Sequence, residues 1–276
     1  MPELPSLEIY KDYFDSHFLH QVIEKAEIKN PEILINVTPN ELRETLVEQE
    51  FISSRRYGKY LFSRLDNDYF LIIHFGMTGY IKHIQNNTPL YSNDAPKSNN
   101  SPNNSHIRFW VHFKNGHELI FDDIRKFGKV GLTRSPDNFV HEKNLGPDAL
   151  EIDFKNFKEL FKKRKGNIKS LIMNQNFIAG IGNLYADEIL YQSRIHPLTT
   201  ADKLDKRNLK KLYQEMKKVL KTAIEHHDVP HKMPSSFLLA HRYPGGECPN
   251  GEPIETMKIG GRTTYFCPIH QKLILS

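Results

Sequence analysis

The sequence has few of the features that mark secreted or membrane-bound proteins. Its two cysteines, Cys248 and Cys267, are too few for a disulfide scaffold and are compatible with a reducing cytoplasm. No apolar run approaches the roughly 20 residues needed to cross a bilayer. The N-terminus also lacks the basic and apolar regions of a signal peptide. We therefore expect a cytoplasmic protein with no membrane partner.

The composition is that of a folded protein with a modest basic excess. Hydrophobic residues make up 38% and charged residues 26% of 276 positions, enough for one large domain or two modest ones. The net charge of +5 and the pI of about 8.9 favour a polyanionic partner such as nucleic acid. Composition alone indicates nothing more specific.

The spacing of apolar residues divides the chain into parts. Residues 1–133 contain short β-branched and aromatic segments separated by turn signals such as Asn115-Gly116, which predict strands. The polar stretch 86–105 has little to bury and predicts a flexible insertion at a hairpin tip. Later segments show helical spacing with a lysine-rich opposite face, and Asp153 is a candidate N-cap. We predict an α+β protein with these parts: a β domain over 1–133, a linker over 134–150, a helical domain over 151–233 and a hairpin module over 234–276.

Two glycines, Gly180 and Gly182, lie between predicted helices. Closely spaced glycines permit a tight turn and the approach of another backbone, and the amides of a helix start can bind phosphate. A plain turn explains such a pair equally well. Basic residues on both sides favour a polyanion, although each could simply be solvated on a helix face. They are Lys162, Lys163, Arg164, Lys165, Lys169, Lys210, Lys211, Lys217 and Lys218.

Two further segments carry residues suited to nucleic acid. In DDIRKFGKV, Arg125 and Phe127 alternate and would point the same way in an extended chain. Arginine can contact a base edge and an aromatic ring can enter a base stack, although Phe127 could equally be core. In HFGMTG, Met77 precedes a glycine turn, and methionine is usually core.

The C-terminal module has part of a zinc-ligand pattern. Cys267 and His270 have the spacing of zinc ligands, and Cys248 would face them across a hairpin. A structural zinc requires four ligands, and Gly251 stands where another would be expected. Unless His241 or another residue supplies the fourth ligand, a bound zinc is slightly disfavoured.

Together these segments resemble the Fpg/Nei family of DNA glycosylases over essentially the whole chain. The resemblance rests on the order and spacing of short motifs. They are MPELP at the start, GKYL at 58–61, HFGMTG at 74–79, Arg125 to Gly128, LGPDAL at 145–150, IAGIGNLYADEIL at 178–190 and GGRTTYFC at 260–267.

The resemblance implies an N-terminal β-sandwich, a helix–two-turn–helix domain and a zinc or zincless finger. It implies a monomeric, nucleoid-associated protein, if the source is bacterial, that acts on double-stranded DNA containing a damaged base or an abasic site. It also implies roles for individual residues. These are Pro2 as the nucleophile once Met1 is removed, Glu3 as the proton shuttle, Lys59 as a catalytic lysine at the lesion, Met77, Arg125 and Phe127 as the residues that fill the space of a flipped-out nucleotide, and Asn183 and Arg262 as phosphate ligands.

Three departures from the family pattern keep alternatives open. Ser6 stands where the family usually carries a second early glutamate, the finger lacks a ligand, and the segment before the finger is short. The main hypothesis is a bifunctional glycosylase and abasic-site lyase. The alternative is a lesion-binding protein with weakened catalysis, and a weaker one is RNA binding. Neither the lesion nor the balance of β- and δ-elimination follows from the sequence.

Overall fold

The computed structural model describes residues 2–85, the backbone of 88–89, and residues 106–275. The predicted insertion at 86–105 lies outside these residues except for the two-residue strand at 88–89. The chain forms two compact units: unit 1 comprises Met1–Pro2 and Ser6–Lys143, and unit 2 comprises Glu3–Pro5 and Asn144–Ser276. Among the described helices, none is both long and apolar enough to span a membrane.

Unit 1 contains two five-stranded sheets, ordered β1-β8-β9-β6-β7 and β2-β10-β5-β4-β3. Apolar side chains of both sheets share one buried core, so the predicted β-sandwich is confirmed. The strands are β1 (Ile23–Ile28), β2 (Leu34–Ile35), β3 (Phe51–Tyr57), β4 (Tyr60–Leu65), β5 (Phe70–His74), β6 (Tyr80–Gln85), β7 (Thr88–Pro89), β8 (Ile107–Phe113), β9 (His117–Asp122) and β10 (Lys129–Thr133).

Unit 1 also contains helical structure that the sequence did not predict. The sequence predicts strands over 1–133, whereas helix α1 spans Leu4–Phe18. Leu7, Tyr10, Phe14 and Phe18 recur at helical spacing and are buried in the core of unit 1. Two shorter helices follow, α2 (Pro39–Leu46) and α3 (Pro136–Glu142).

Unit 2 is built around four helices and a hairpin. The helices are α4 (Phe154–Phe161), α5 (Ile168–Met173), α6 (Asn183–Ser193) and α7 (Lys206–Glu225), and the hairpin pairs β11 (Glu255–Ile259) with β12 (Arg262–Phe266). The side chain of Asp153 accepts a hydrogen bond from the Asn156 amide at 2.8 Å, which confirms the predicted N-cap of α4. The α+β class with a helix–two-turn–helix domain and a terminal hairpin is therefore confirmed.

Within the helical domain predicted over 151–233, residues 154–173 form two helices, α4 and α5, with a break between them. Lys163 adopts a left-handed φ of 60°, and Asn167 caps a new helix by accepting a hydrogen bond from the Ser170 amide at 3.2 Å. The break changes the environment of Lys169, which we had assigned to the solvated basic face. Lys169 is instead fully buried.

The histidines of unit 1 predict a stability that depends on pH. His83 is buried between His17, His117 and Phe18, and burial together with these two histidines lowers its pKa to about 4. The folded pKa lies below that of an unfolded histidine, so the unfolded chain binds this proton first. The contribution of neutral His83 to the unfolding free energy is therefore fully present above about pH 6.5 and is lost as the pH drops toward 4.

Urea unfolding monitored at pH 7.5 and at pH 5 measures this effect. Replacing the ionisable ring in His83→Gln should reduce the difference in unfolding free energy between the two pH values. His141→Gln, at an exposed position of α3, is the matched control and should leave the difference unchanged. An equal pH dependence in all three proteins would contradict the assignment to His83.

Candidate functional site

The carboxylate of Glu3 is bound at the N-terminus of helix α6. It accepts hydrogen bonds from the amides of Gly182 at 2.7 Å, Leu184 at 2.9 Å and Tyr185 at 3.3 Å. The side chain is buried, with 2% of its surface exposed. The first amides of a helix have no intrahelical acceptor and lie at the positive end of its dipole, so they suit a carboxylate.

The two glycines before α6 make this arrangement sterically feasible. A Cβ on Gly182 would lie 2.4 Å from the carboxyl carbon of Glu3, and one on Gly180 would lie 2.5 Å from a methyl of Leu4. Gly180 also has a positive φ of 111°, which favours glycine. We predicted that the glycines admit another backbone, and they do: the Leu4 amide donates to Gly180 O at 3.1 Å. The predicted phosphate site at these amides is wrong, because Glu3 occupies them.

Asp123 organises a loop of unit 1 that carries two of the predicted DNA-contact residues. Its carboxylate accepts hydrogen bonds from the amides of Gly128 at 2.7 Å and Arg125 at 3.2 Å, and from the hydroxyl of Thr78. The neighbouring turn at Gly76 packs against the loop backbone, since a Cβ there would lie 2.5 Å from Gly128 N. The loop at 123–128 and the turn that carries Met77 are therefore held together.

Met77, Arg125 and Phe127, the residues predicted to fill the space of a flipped-out nucleotide, are solvent-exposed. Phe127 is 51% exposed and Met77 is 38% exposed, so the interpretation of either as a core residue is wrong. The guanidinium carbon of Arg125 lies 4.8 Å from the centroid of the Phe127 ring. The Asp123 carboxylate fixes this loop, and the loop presents apolar and cationic groups to solvent. Such a loop is suited to entering a base stack.

Lys59 lies in the tight turn between β3 and β4. Arg56 steadies this turn, since its Nε donates to Glu8 at 2.6 Å and its Nη1 donates to Gly58 O at 3.1 Å. Pro2 is half-buried in the same unit.

Sequence reasoning missed His74, which faces the charge of Lys59. Burial, with the charges of Lys59 and Lys129, lowers the pKa of His74 to about 4. Its Nδ1 accepts from the Gly76 amide at 3.2 Å, so the neutral ring carries its proton on Nε2. A neutral donor that feels the charges of two lysines suits an anion. Its position at the start of HFGMTG was the available signal.

Asn183 and Arg262 are connected through the hairpin of unit 2. The Nδ2 of Asn183 donates to Thr263 O at 3.0 Å, and Thr263 directly follows Arg262 on β12. One N–H of the Asn183 amide remains for another acceptor. The hydrogen bond between Asn183 and Thr263 therefore holds the first predicted phosphate ligand next to the second, Arg262.

The three predicted metal donors do not fit a zinc ion in their observed arrangement. His270 Nδ1 is hydrogen-bonded to the side chain of Asn250 at 2.9 Å, and its ring stacks on Tyr191 at 4.3 Å. The sulfur of Cys267 accepts a hydrogen bond from the His270 amide at 3.4 Å, and Cys248 packs with Cys267 and Tyr191 in one apolar cluster. Across the described part of the chain, no group of three or more histidine, cysteine or acidic side chains could hold a metal. A tetrahedral site requires four free donors.

Comparison with known proteins assigns the family. Residues 1–130 match the profile of the formamidopyrimidine-DNA glycosylase N-terminal domain, and residues 145–233 match its H2TH (helix–two-turn–helix) domain. The chain belongs to the Fpg/Nei family of DNA glycosylases. These enzymes remove damaged bases at the start of base excision repair.

Individual Fpg relatives match nearly the whole chain. Formamidopyrimidine-DNA glycosylase of Arabidopsis thaliana is 35% identical over 99% of this chain and 71% of its own length. The enzyme of Protochlamydia amoebophila is 33% identical over 99% of this chain and 100% of its own length. The Lactococcus lactis Fpg bound to DNA containing an abasic site is 26% identical, with a TM-score of 0.83 and coverage of 98% and 100%.

The Fpg/Nei glutamate that would stand at position 6 is a serine here, and Ser6 is 7% exposed. Two residues later, Glu8 binds Arg56 and so contributes to the turn that carries Lys59. Glu3, directly before α1, and Glu8, in its first turns, therefore have different partners. Glu3 is fixed to α6, and Glu8 is fixed to β3.

Gly182→Ala should destabilise the protein because its Cβ would displace the Glu3 carboxylate from three amides. Charge-assisted hydrogen bonds contribute about 1.5–3 kcal/mol each, so we expect a loss of about 2 kcal/mol or more in unfolding free energy. Urea unfolding measures the loss. Gly166→Ala is the matched control, since its nearest contact is an ordinary 3.4 Å from Leu171. Equal losses in both variants would contradict the close packing of Glu3 on Gly182.

Proposed function

We propose that the protein is a bifunctional DNA glycosylase and abasic-site lyase that acts through a Schiff base on Pro2. The observation that carries the proposal is the fixed carboxylate of Glu3 directly beside Pro2 in the chain. A catalytic carboxylate must keep one position relative to the reacting amine, and three backbone donors provide that rigidity. The DNA in complexes of relatives such as the Lactococcus lactis Fpg supports the substrate class.

The chemistry begins with the secondary amine that Pro2 presents once Met1 is removed. An α-amino group has a reference pKa of about 8, so a useful fraction is neutral at physiological pH. The amine attacks C1′ of the damaged nucleotide, the glycosidic bond breaks, and the base leaves with a proton. Opening of the sugar ring converts the adduct to the iminium ion.

Glu3 is placed to move protons during the later steps. Loss of a proton from C2′ of the iminium sugar expels the 3′ phosphate by β-elimination, and a second elimination expels the 5′ phosphate. Water then hydrolyses the Schiff base and restores the proline amine. Lys59 and His74 provide cationic and neutral donors for a phosphate near the reacting nucleotide.

The exposed loop residues of unit 1 suit the extrusion of a damaged nucleotide. Removing a base from the stack leaves a space in the duplex, and the enzyme must fill it. Met77, Arg125 and Phe127 supply a thioether, a guanidinium and a ring on segments held by Asp123. Asn183 and Arg262 in unit 2 would bind the DNA backbone, which fixes position without reading sequence.

Borohydride trapping on an abasic-site duplex tests the mechanism. The wild type should give a covalent adduct, Pro2→Gly should give none, and Glu3→Gln should form it at least about 100-fold more slowly, the usual scale of acid–base catalysis. Glu24→Gln, at an exposed position of β1, is the matched control. A protein that binds the duplex but leaves it uncut and untrapped would instead be the catalytically weakened lesion-binding protein.

Arg262→Ala should weaken DNA binding in a way that depends on salt. Each phosphate contact that is lost should reduce the slope of log K against log salt by about 0.9, because one fewer counterion is released. Titrations of a duplex with an uncleavable abasic-site analogue at several salt concentrations measure the slope. Lys114→Ala, in the exposed turn between β8 and β9, should leave it unchanged. An unchanged slope for Arg262→Ala would remove this residue from the interface.

A further inference from the structure

A buried cluster of three charged side chains lies beneath the hairpin of unit 2. The carboxylate of Asp187 on α6 lies 2.6 Å from Lys169 Nζ on α5 and 2.8 Å from Arg242 Nε. The side chains of Lys169 and Asp187 are fully buried, and that of Arg242 is 16% exposed. These three residues, named here the charge cluster, connect two helices to the segment that leads into the hairpin.

The charge cluster holds successive residues of strand β12. Lys169 Nζ donates to the hydroxyl of Thr264 at 2.5 Å, and the amide of Tyr265 donates to Asp187 at 3.1 Å. The guanidinium of Arg242 also lies 4.6 Å from the centroid of the Tyr265 ring. Thr263, the next residue toward Arg262, receives the side chain of Asn183. One face of β12 is therefore fixed to the helices by hydrogen bonds along its length.

In a zinc finger, a metal ion holds the hairpin through its ligands. Here the hydrogen bonds from the charge cluster hold strand β12. The imidazole of His270 is hydrogen-bonded to Asn250, and its backbone amide donates to the sulfur of Cys267 at 3.4 Å. Cys248 and Cys267 pack in a small apolar core, against which Tyr265 of β12 also packs. Within the described part of the chain, the Thr263 carbonyl and the Thr264 hydroxyl are hydrogen-bonded by Asn183 and the charge cluster, and not by this core.

Burial makes the charge cluster sensitive to the loss of any member. Burial lowers the pKa of Lys169 and raises that of Asp187, so each charge depends on its partners to remain in the interior. Removing one partner of a buried pair leaves an uncompensated charge, which costs far more than losing an exposed ion pair. Asp187 is the ion-pair partner of both Lys169 and Arg242, so its loss removes both ion pairs at once.

We propose that the charge cluster, rather than a metal ion, positions the β11–β12 hairpin for DNA binding, with Asp187 as the positioning residue. Its effect on DNA rests on the proposed function, because Asn183 and Arg262 are the groups that the hairpin would present to phosphates. Its effect on the hairpin itself does not depend on that function.

The first experiment measures the hairpin without DNA in the full-length protein. In Asp187→Asn, amide hydrogen exchange in β12 should be at least about tenfold faster, which corresponds to about 1.4 kcal/mol of local stability. The control Asp202→Asn removes the same charge at an exposed position of unit 2 and should exchange as the wild type does. Zinc in the purified protein should be far below one per chain, and a chelator should not lower the unfolding temperature.

A milder variant covers the case in which Asp187→Asn fails to fold. Thr264→Val keeps the volume and every charge but removes the acceptor for Lys169, and it should speed exchange in β12 to a smaller degree. Thr256→Val, exposed on the neighbouring strand β11, is its control. Wild-type exchange in both Asp187→Asn and Thr264→Val, or one zinc per chain with destabilisation by the chelator, would overturn the proposal.

The second experiment separates positioning from chemistry. In Asp187→Asn, or in Thr264→Val if the former does not fold, the dissociation constant for an abasic-analogue duplex should rise about tenfold, equivalent to about 1.4 kcal/mol. Borohydride trapping at saturating DNA should stay within about twofold of wild type. Slower trapping at saturation with unchanged affinity would overturn the positioning role. Failure of the wild type itself to form an adduct would refute the proposed function, while the exchange and metal measurements would still decide the role of the charge cluster.

Discussion

The hydrogen bonds between the Glu3 carboxylate and the start of helix α6 connect the N-terminal residues of unit 2 to its helical part. The bonded residues are 179 to 182 positions apart, yet they share three charge-assisted bonds. The bonds satisfy amides that the helix cannot satisfy internally, and they hold the residue that directly follows Pro2. The same interaction therefore satisfies the start of a helix and fixes the carboxylate that we propose to be catalytic.

In both units, glycines and buried carboxylates position the segments next to the proposed DNA-contact residues. Gly182 provides the space in which Glu3 reaches the helix, and Gly76 lets the Met77 turn approach the loop at 123–128. Asp123 then fixes that loop, and Asp187 fixes strand β12. In each case a buried carboxylate accepts a hydrogen bond from a backbone amide: Glu3 at the start of helix α6, Asp123 in a loop and Asp187 on strand β12. The exposed groups next to these segments, such as Phe127 and Arg262, are the ones proposed to meet DNA.

The proposed role of the charge cluster can be compared with that of a metal ion in a zinc finger. A metal site concentrates its stabilisation in a few strong bonds, while the charge cluster distributes it among two helices, the Arg242 segment and β12. A buried cluster of this kind tolerates the loss of a member poorly, because the remaining charges stay in a medium of low dielectric. The proposed positioning role follows from that sensitivity.

The sequence by itself determined the α+β class, the β-rich and helical halves, the N-cap at Asp153 and the family, because periodicity, capping and motif order are local properties. It also identified Gly180 and Gly182 as a close approach. It could not identify the approaching group, and it left a phosphate site and a plain turn as alternatives where the structure places Glu3. Helix α1, the break before α5 and the burial of Lys169 were likewise missed. Each depends on contacts between residues distant in sequence, such as Lys169 with Asp187 and Thr264, and only the tertiary structure decides which partner a buried charge receives.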